Sequence, residues 1–120
     1  MSILKGVYMI RVPTHRAPTH PGKMLLIEFL VPMGLSQRDL ANAINVPYQR
    51  INEIINGRRG ITPSTALRIA KFFGMTPDFW MNLQLRWDLY HAEKVEAQHL
   101  KNIKRYRHKY NYPGSSNSLQ

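Results

Sequence analysis

Residues 36–57, SQRDLANAINVPYQRINEIING, constrain the fold more than any other stretch of this chain. Leu40, Ala41 and Ile44 recur at the three- and four-residue spacing that lines one face of a helix, and Ile51, Ile54 and Ile55 do the same for a second. Between them Asn45-Val46-Pro47 interrupts the pattern, because the residue before a proline is pushed out of the α region. Pro47 then suits the opening of the next helix, where its missing N–H costs nothing. Val46 is left as a hydrophobe in the turn, and Ala41 is small enough for the second helix to cross close to the first. The prediction is two short helices joined by a tight, apolar-centred turn.

The flanks extend this into five helices without strands. Pro21, Pro47, Pro63 and Pro77 each stand at or just before a helical pattern, as proline does at the first helical position. The first helix is predicted over about 21–31, with Met24, Leu26, Ile27, Phe29 and Leu30 inward and Pro32 and Gly34 as stops. Ser36 caps the second helix and Asp39 completes a capping box. The third spans about 47–55 and ends at Asn56-Gly57. Thr62 caps a fourth helix, which runs from Pro63 to Phe73 with Ala66, Leu67, Ile69, Ala70 and Phe73 inward. Thr76 caps a long fifth helix reaching about residue 107. Residues 3–12 could form a short strand, and 111–120 read as a disordered tail. The expected division is a flexible N-terminal extension over 1–18, a helical unit over 19–92, and a basic helical extension with a disordered tail over 93–120.

Two short helices joined this way have the grammar of a helix-turn-helix, whose second helix enters the DNA major groove. Gln37, at the start of the first of these helices, and Tyr48, Gln49 and Asn52 on the polar face of the second are the candidates for base or groove contact. Arg38, Arg50, Asn56, Arg58 and Arg59 are the candidates for phosphate contact; Arg50 could instead pair with Glu53 or Asp39. The formal charge of +10 suits a polyanionic partner, but it is terminal in origin. Residues 1–27 carry +4 and residues 97–120 carry +5, whereas 28–96 carry only +1. The case for DNA therefore rests on residue placement.

The stretches HPGKML at 20–25, GLSQRDLA at 34–41, VPYQRINEIINGRRGITPSTALRIAKFFG at 46–74 and PDFWMNLQLRWDL at 77–89 resemble the HigA-type antitoxins of bacterial toxin–antitoxin modules, within the phage-repressor (XRE/Cro) class. The segments before Thr19 and after Ala92 fall outside that pattern. The resemblance implies an all-α, five-helix, phage-repressor-like helix-turn-helix domain with a long C-terminal helix. It implies a cytoplasmic homodimer that autorepresses at a double-stranded DNA operator. It also implies a cognate toxin partner, a small ribonuclease acting on mRNA. A phage-type transcriptional repressor without a toxin is the nearest alternative. A second is an RNA-binding module, in which Tyr106, Tyr110 and Tyr112 interleave with Lys104, Arg105, Arg107 and Lys109.

Other classes find little support. The chain has no cysteine, so neither a disulfide framework nor a thiolate metal site is available. Lys5, Tyr8 and Arg11 interrupt any signal-peptide core, and no stretch approaches the roughly 20 apolar residues of a membrane span. His91 and His99 lie about 12 Å apart in helical rise, too far for one metal ion. His15, His20 and His108 add no ligand spacing, so neither metal nor other cofactor is expected. No nucleophile, phosphate loop or HExxH motif points to an enzyme. The aromatic run Phe72, Phe73, Phe79, Trp80, Trp87 and Tyr90 reads as core. Trp80, Leu83 and Trp87 also recur at helical spacing and are the dimer-interface candidates, with packing inside one chain the alternative.

Overall fold

The computed structural model describes residues 17–107, and all of its regular elements are helical. The first, α1, is continuous but not uniform: α-helical over Pro21–Met24, π-helical over Leu25–Leu30 and α-helical again over Val31–Met33. It is followed by α2 (Gln37–Ile44), α3 (Tyr48–Ile55), α4 (Pro63–Phe73) and α5 (Asp78–Lys101). The expected five-helix architecture with a long last helix is therefore observed. The N-terminal strand and the disordered tail, with His15, His108, Lys109, Tyr110 and Tyr112, lie outside the described residues.

Local chemistry sets most boundaries. The Ser36 hydroxyl accepts from the Asp39 amide at 2.9 Å, and the Asp39 carboxylate accepts from the Ser36 amide at 3.0 Å, closing the capping box. The hydrogen bonds from Ser36 hold the Asp39 carboxyl below its usual range. Gly34 and Gly74 end α1 and α4 with positive φ, as left-handed C-caps do. Asn45 takes the same conformation, at φ 57°, to turn the chain between α2 and α3. The side chain of Thr62 caps α4, but Thr76 does not cap α5; Pro77 holds that position. The fifth helix ends at Lys101, six residues earlier than the sequence suggests, with Asn102 as its C-cap.

The core is formed by Leu25, Phe29, Leu30, Leu40, Ile51, Ile54, Ile69 and Trp80, all 2% exposed or less, with Ile61 and Val46 closing its edges. The two helices of the motif bury Leu40, Ala41, Ile44, Ile51 and Ile54 as periodicity predicts, whereas Ile55 is only half-buried. In α1 the inward set differs: Leu25 is fully buried and Ile27 is half exposed. MLLIEFLV is apolar nearly throughout, so period alone cannot choose its face. The π turn also shifts the register and opens the ladder ahead of Pro32, so α1 passes the proline and stops at Gly34. Leu67 likewise faces solvent, and Phe72 is exposed at 42% while resting its edge on Phe73.

His20 joins α1 to α5. Its Nδ1 accepts from the Gly22 amide at 2.9 Å, capping α1, and its ring meets Trp87 edge-on at 4.8 Å. Burial pushes its pKa down, with Asp88 opposing. The fold thus favours neutral His20, and the unfolded chain binds the extra proton first. This contribution to stability is complete above about pH 6.5, the unfolded value, and declines as pH falls toward the lowered folded value. Urea unfolding at pH 7.5 and 5.5 should show the decline, and His20→Asn, an untitratable cap, should flatten it. An equal decline in the variant would exclude His20 as its source.

Candidate nucleic-acid interface

The outer face of α3 and the start of α2 form one polar surface. It exists because Ile51 and Ile54 turn the opposite face of α3 into the core, leaving positions 48, 49, 52, 53 and 56 outside. Asn52 is its hub. Its Nδ2 donates to Gln37 Oε1 at 3.0 Å, across 15 residues of sequence, and lies 3.5 Å from the Tyr48 hydroxyl. Asn56 Nδ2 donates to the Asn52 backbone carbonyl at 2.9 Å and to Asn52 Oδ1 at 3.2 Å. The Arg38 guanidinium stands 4.4 Å above the centre of the Tyr48 ring. Gln37, Arg38, Tyr48, Asn52 and Asn56 are therefore brought together by the fold.

A second group centres on Glu53. Gln49 Nε2 donates to its Oε2 at 3.3 Å, and Arg59 Nε donates to its Oε1 at 2.8 Å. The Arg59 hydrogen bond is the main reason the Glu53 carboxyl lies below its usual range; desolvation opposes it. Arg58 projects from the loop beyond α3, and its backbone amide donates to the Glu53 carbonyl at 2.8 Å. The partner of Glu53 is Arg59 rather than Arg50, and Asp39 is occupied by its cap. Arg50 is half-buried and forms no ion pair among the described residues.

Several residues that position this surface are not evident from local sequence. Arg68 Nη1 donates to the Ile44 carbonyl at 2.7 Å and the Asn45 carbonyl at 3.3 Å, satisfying the end of α2 with a cation where the helix dipole favours one. Gln84 Oε1 accepts from the Ile61 amide at 2.7 Å and its Nε2 donates to Asp88 at 2.9 Å, fixing the loop that carries Arg58 and Arg59 onto α5. Gly22 lets α1 touch the end of α3. Glycine and proline beside His20 are the only local signal for that contact. Arg68 and Gln84 act over 24 and 23 residues of sequence, beyond any local pattern.

Of the dimer candidates, Trp80 is wholly buried in the core of the single chain, tilted against Phe29 and edge-on to Phe79, and has no surface to offer a second copy. Leu83 and Trp87 are half-buried. On another side of α5, Leu85 and Leu89 are 54% and 58% exposed. Among the described residues no group of three or more His, Cys, Asp or Glu is placed to hold a metal ion, and no helix is long and apolar enough to cross a membrane.

Comparison with known proteins agrees with this geometry. Residues 26–80 match the family described as helix-turn-helix. Virulence-associated protein I of Dichelobacter nodosus is 49% identical over 75 residues, covering 62% of this chain and 69% of that protein. Antitoxin HigA-1 of Vibrio cholerae is 36% identical over 91 residues, covering 76% of this chain and 86% of the relative. A HigA-family addiction-module antidote protein from Coxiella burnetii superimposes with TM-score 0.71 at 41% identity, over 76% of this chain and all of that one. The Pseudomonas aeruginosa antitoxin HigA, solved with the higBA promoter, gives 0.72 at 33% identity over 75% of this chain and 99% of its own. With this level of identity over most of the length of such relatives, and a fold that superimposes on theirs, the chain belongs to the HigA-type antitoxin family of helix-turn-helix proteins.

Proposed function

We propose that this protein is a dimeric, sequence-specific DNA-binding antitoxin of the cytoplasm that represses its own operon and neutralises a cognate mRNA-cleaving toxin. It acts by binding, not by catalysis. The observation that carries the DNA half is the surface joining Gln37 to Asn52 and Tyr48 on the exposed side of α3. These side chains combine donors and acceptors of the kind that read base edges. Gln37, Tyr48, Gln49 and Asn52 are assigned to bases or groove. Arg38, Arg50, Asn56, Arg58 and Arg59 are assigned to the flanking phosphates. The HigA relative solved with the higBA promoter supports a DNA-binding role for the chain. The toxin half rests on family membership, and co-purification with the product of the adjacent reading frame tests it.

Two copies would place their α3 helices in successive major grooves, about 34 Å apart. The dimer seam is assigned to α5, where Leu83 and Trp87 keep partial exposure and Leu85 and Leu89 lie one turn apart in solvent. Residues 19–92 form the DNA-binding unit in this reading, and 93–120 add a basic extension.

Asn52→Ala and Arg58→Ala separate reading from holding. With a duplex selected by the wild-type protein from a randomised pool, Asn52→Ala should cost about 1–3 kcal/mol and relax the sequence preference. Arg58→Ala should weaken selected and scrambled duplexes alike. Identical behaviour of the two variants would mean the reading face is misassigned. Preferential binding of single-stranded RNA in the same titration would favour the basic C-terminal segment as the functional site instead.

A further inference from the structure

Glu53 is out of place on a surface meant for a polyanion. Its charge opposes phosphate approach, yet it sits between Gln49 and Arg59 on the face of α3 assigned to DNA. Both of its carboxylate oxygens are engaged, and by different kinds of side chain. Oε2 accepts from the Gln49 amide and Oε1 from Arg59 Nε. The Glu53 side chain is 25% exposed and that of Arg59 47%, so the carboxylate is the less accessible partner of the pair. The bond to Arg59 uses Nε, which leaves the two Nη groups for a phosphate. The Glu53 carbonyl accepts the Arg58 amide as well, anchoring the start of the loop on the same turn of helix.

We propose that Glu53 is a positioning residue that couples sequence reading to phosphate binding: one carboxylate sets Gln49 toward the bases and Arg59 toward the backbone in fixed register. The inference rests on the DNA-binding reading above. Its physical advantage is preorganisation. Two long side chains are ordered before DNA arrives, so less freedom is lost on binding. The cost is a negative charge near the phosphates, which Arg59 offsets. A correct site satisfies both side chains at once. A wrong site that draws in Arg59 leaves Gln49 held against the wrong base edge.

Glutamine cannot replace this carboxylate, because it offers one acceptor oxygen where two donors approach different oxygens. The test compares wild type with Glu53→Gln and Glu53→Ala on a duplex selected by the wild-type protein and on a scrambled duplex of equal length. Both variants should bind scrambled DNA more tightly, having lost a negative charge. Their preference for the selected duplex should fall about tenfold. Gln49→Ala should then cost much less in the Glu53→Gln background than in wild type, the non-additivity expected of coupled residues. Equal tightening on both duplexes, with Gln49→Ala fully additive, would show that Glu53 acts only as a charge and overturn the proposal. An unchanged Gln49→Ala cost with loss of preference would make Glu53 a direct base contact, which also overturns it. A wild-type protein that prefers no duplex would instead defeat the DNA reading itself. Should the variants fail to fold, wild-type protein answers by NMR: the Gln49 side-chain amide and Arg59 Nε–H signals should shift together as the Glu53 carboxyl is protonated, and independent behaviour would overturn the coupling.

Discussion

Gly22→Ala is expected to destabilise the protein by about 3 kcal/mol or more, the upper end of overpacking costs. A Cβ on Gly22 would stand 1.8 Å from the Ile54 carbonyl oxygen, 2.5 Å from its carbon and 2.9 Å from the Ile55 Cα. All three are backbone atoms, so no side chain can swing away; α1 must withdraw from the end of α3 or the end of α3 must unwind. Either movement disturbs the α1–α3 contact and the His20 cap beside it. Gly34 and Gly74 provide the control. A Cβ there meets nothing within 4 Å, and only their positive φ resists substitution. Alanine at those sites should cost about 1–2 kcal/mol. Urea denaturation midpoints for the three variants check the order. A Gly22→Ala variant within 1 kcal/mol of wild type, by the linear-extrapolation measure, would contradict the close approach.

Raising salt from 50 to 200 mM should weaken operator binding by about 10⁴-fold. If Arg38, Arg50, Arg58 and Arg59 of two protomers take the phosphate roles proposed for them, about eight cations meet the backbone, and counterion release then sets a logarithmic slope near −7. The structure refines this expectation. Arg59 is ion-paired to Glu53 in the free protein, whereas Arg58 meets Glu53 through a backbone hydrogen bond and a longer-range charge attraction, without an ion-pair contact. Removing Arg58 from both protomers should therefore reduce the slope by about two, one for each lost contact. Titrations of duplex DNA by fluorescence anisotropy at four salt concentrations measure both slopes. A flat response in the wild type would exclude phosphate-directed binding by this surface.

Element order and most helix boundaries were legible in the sequence because they depend on local chemistry. The Ser36–Asp39 capping box, the prolines at helix openings and Gly34 and Gly74 at helix ends each act within a turn of where they stand. The errors fall where that locality fails. In α1 an almost unbroken apolar run conceals which face is buried: the pattern puts Ile27 inside and omits Leu25, whereas Leu25 is the fully buried one. Leu67 follows the helical period yet is 59% exposed among the described residues. Helical composition carries α5 past its end at Lys101, because the helix is exposed from His91 onward and packing sets no boundary there.

The sequence by itself determined the two-helix motif and the identity of the residues on its polar face. Amphipathic spacing turns Ile51 and Ile54 inward and so must turn Tyr48, Gln49 and Asn52 outward. Only the tertiary structure decided how those residues are held. Gln37 meets Asn52, Arg68 closes α2 and Gln84 holds the Ile61 loop through bonds spanning 15 to 24 residues, and such pairings depend on how helices cross. It also assigned Trp80 to the core of one chain, since helical spacing says that a residue faces a partner but not whether that partner belongs to the same chain.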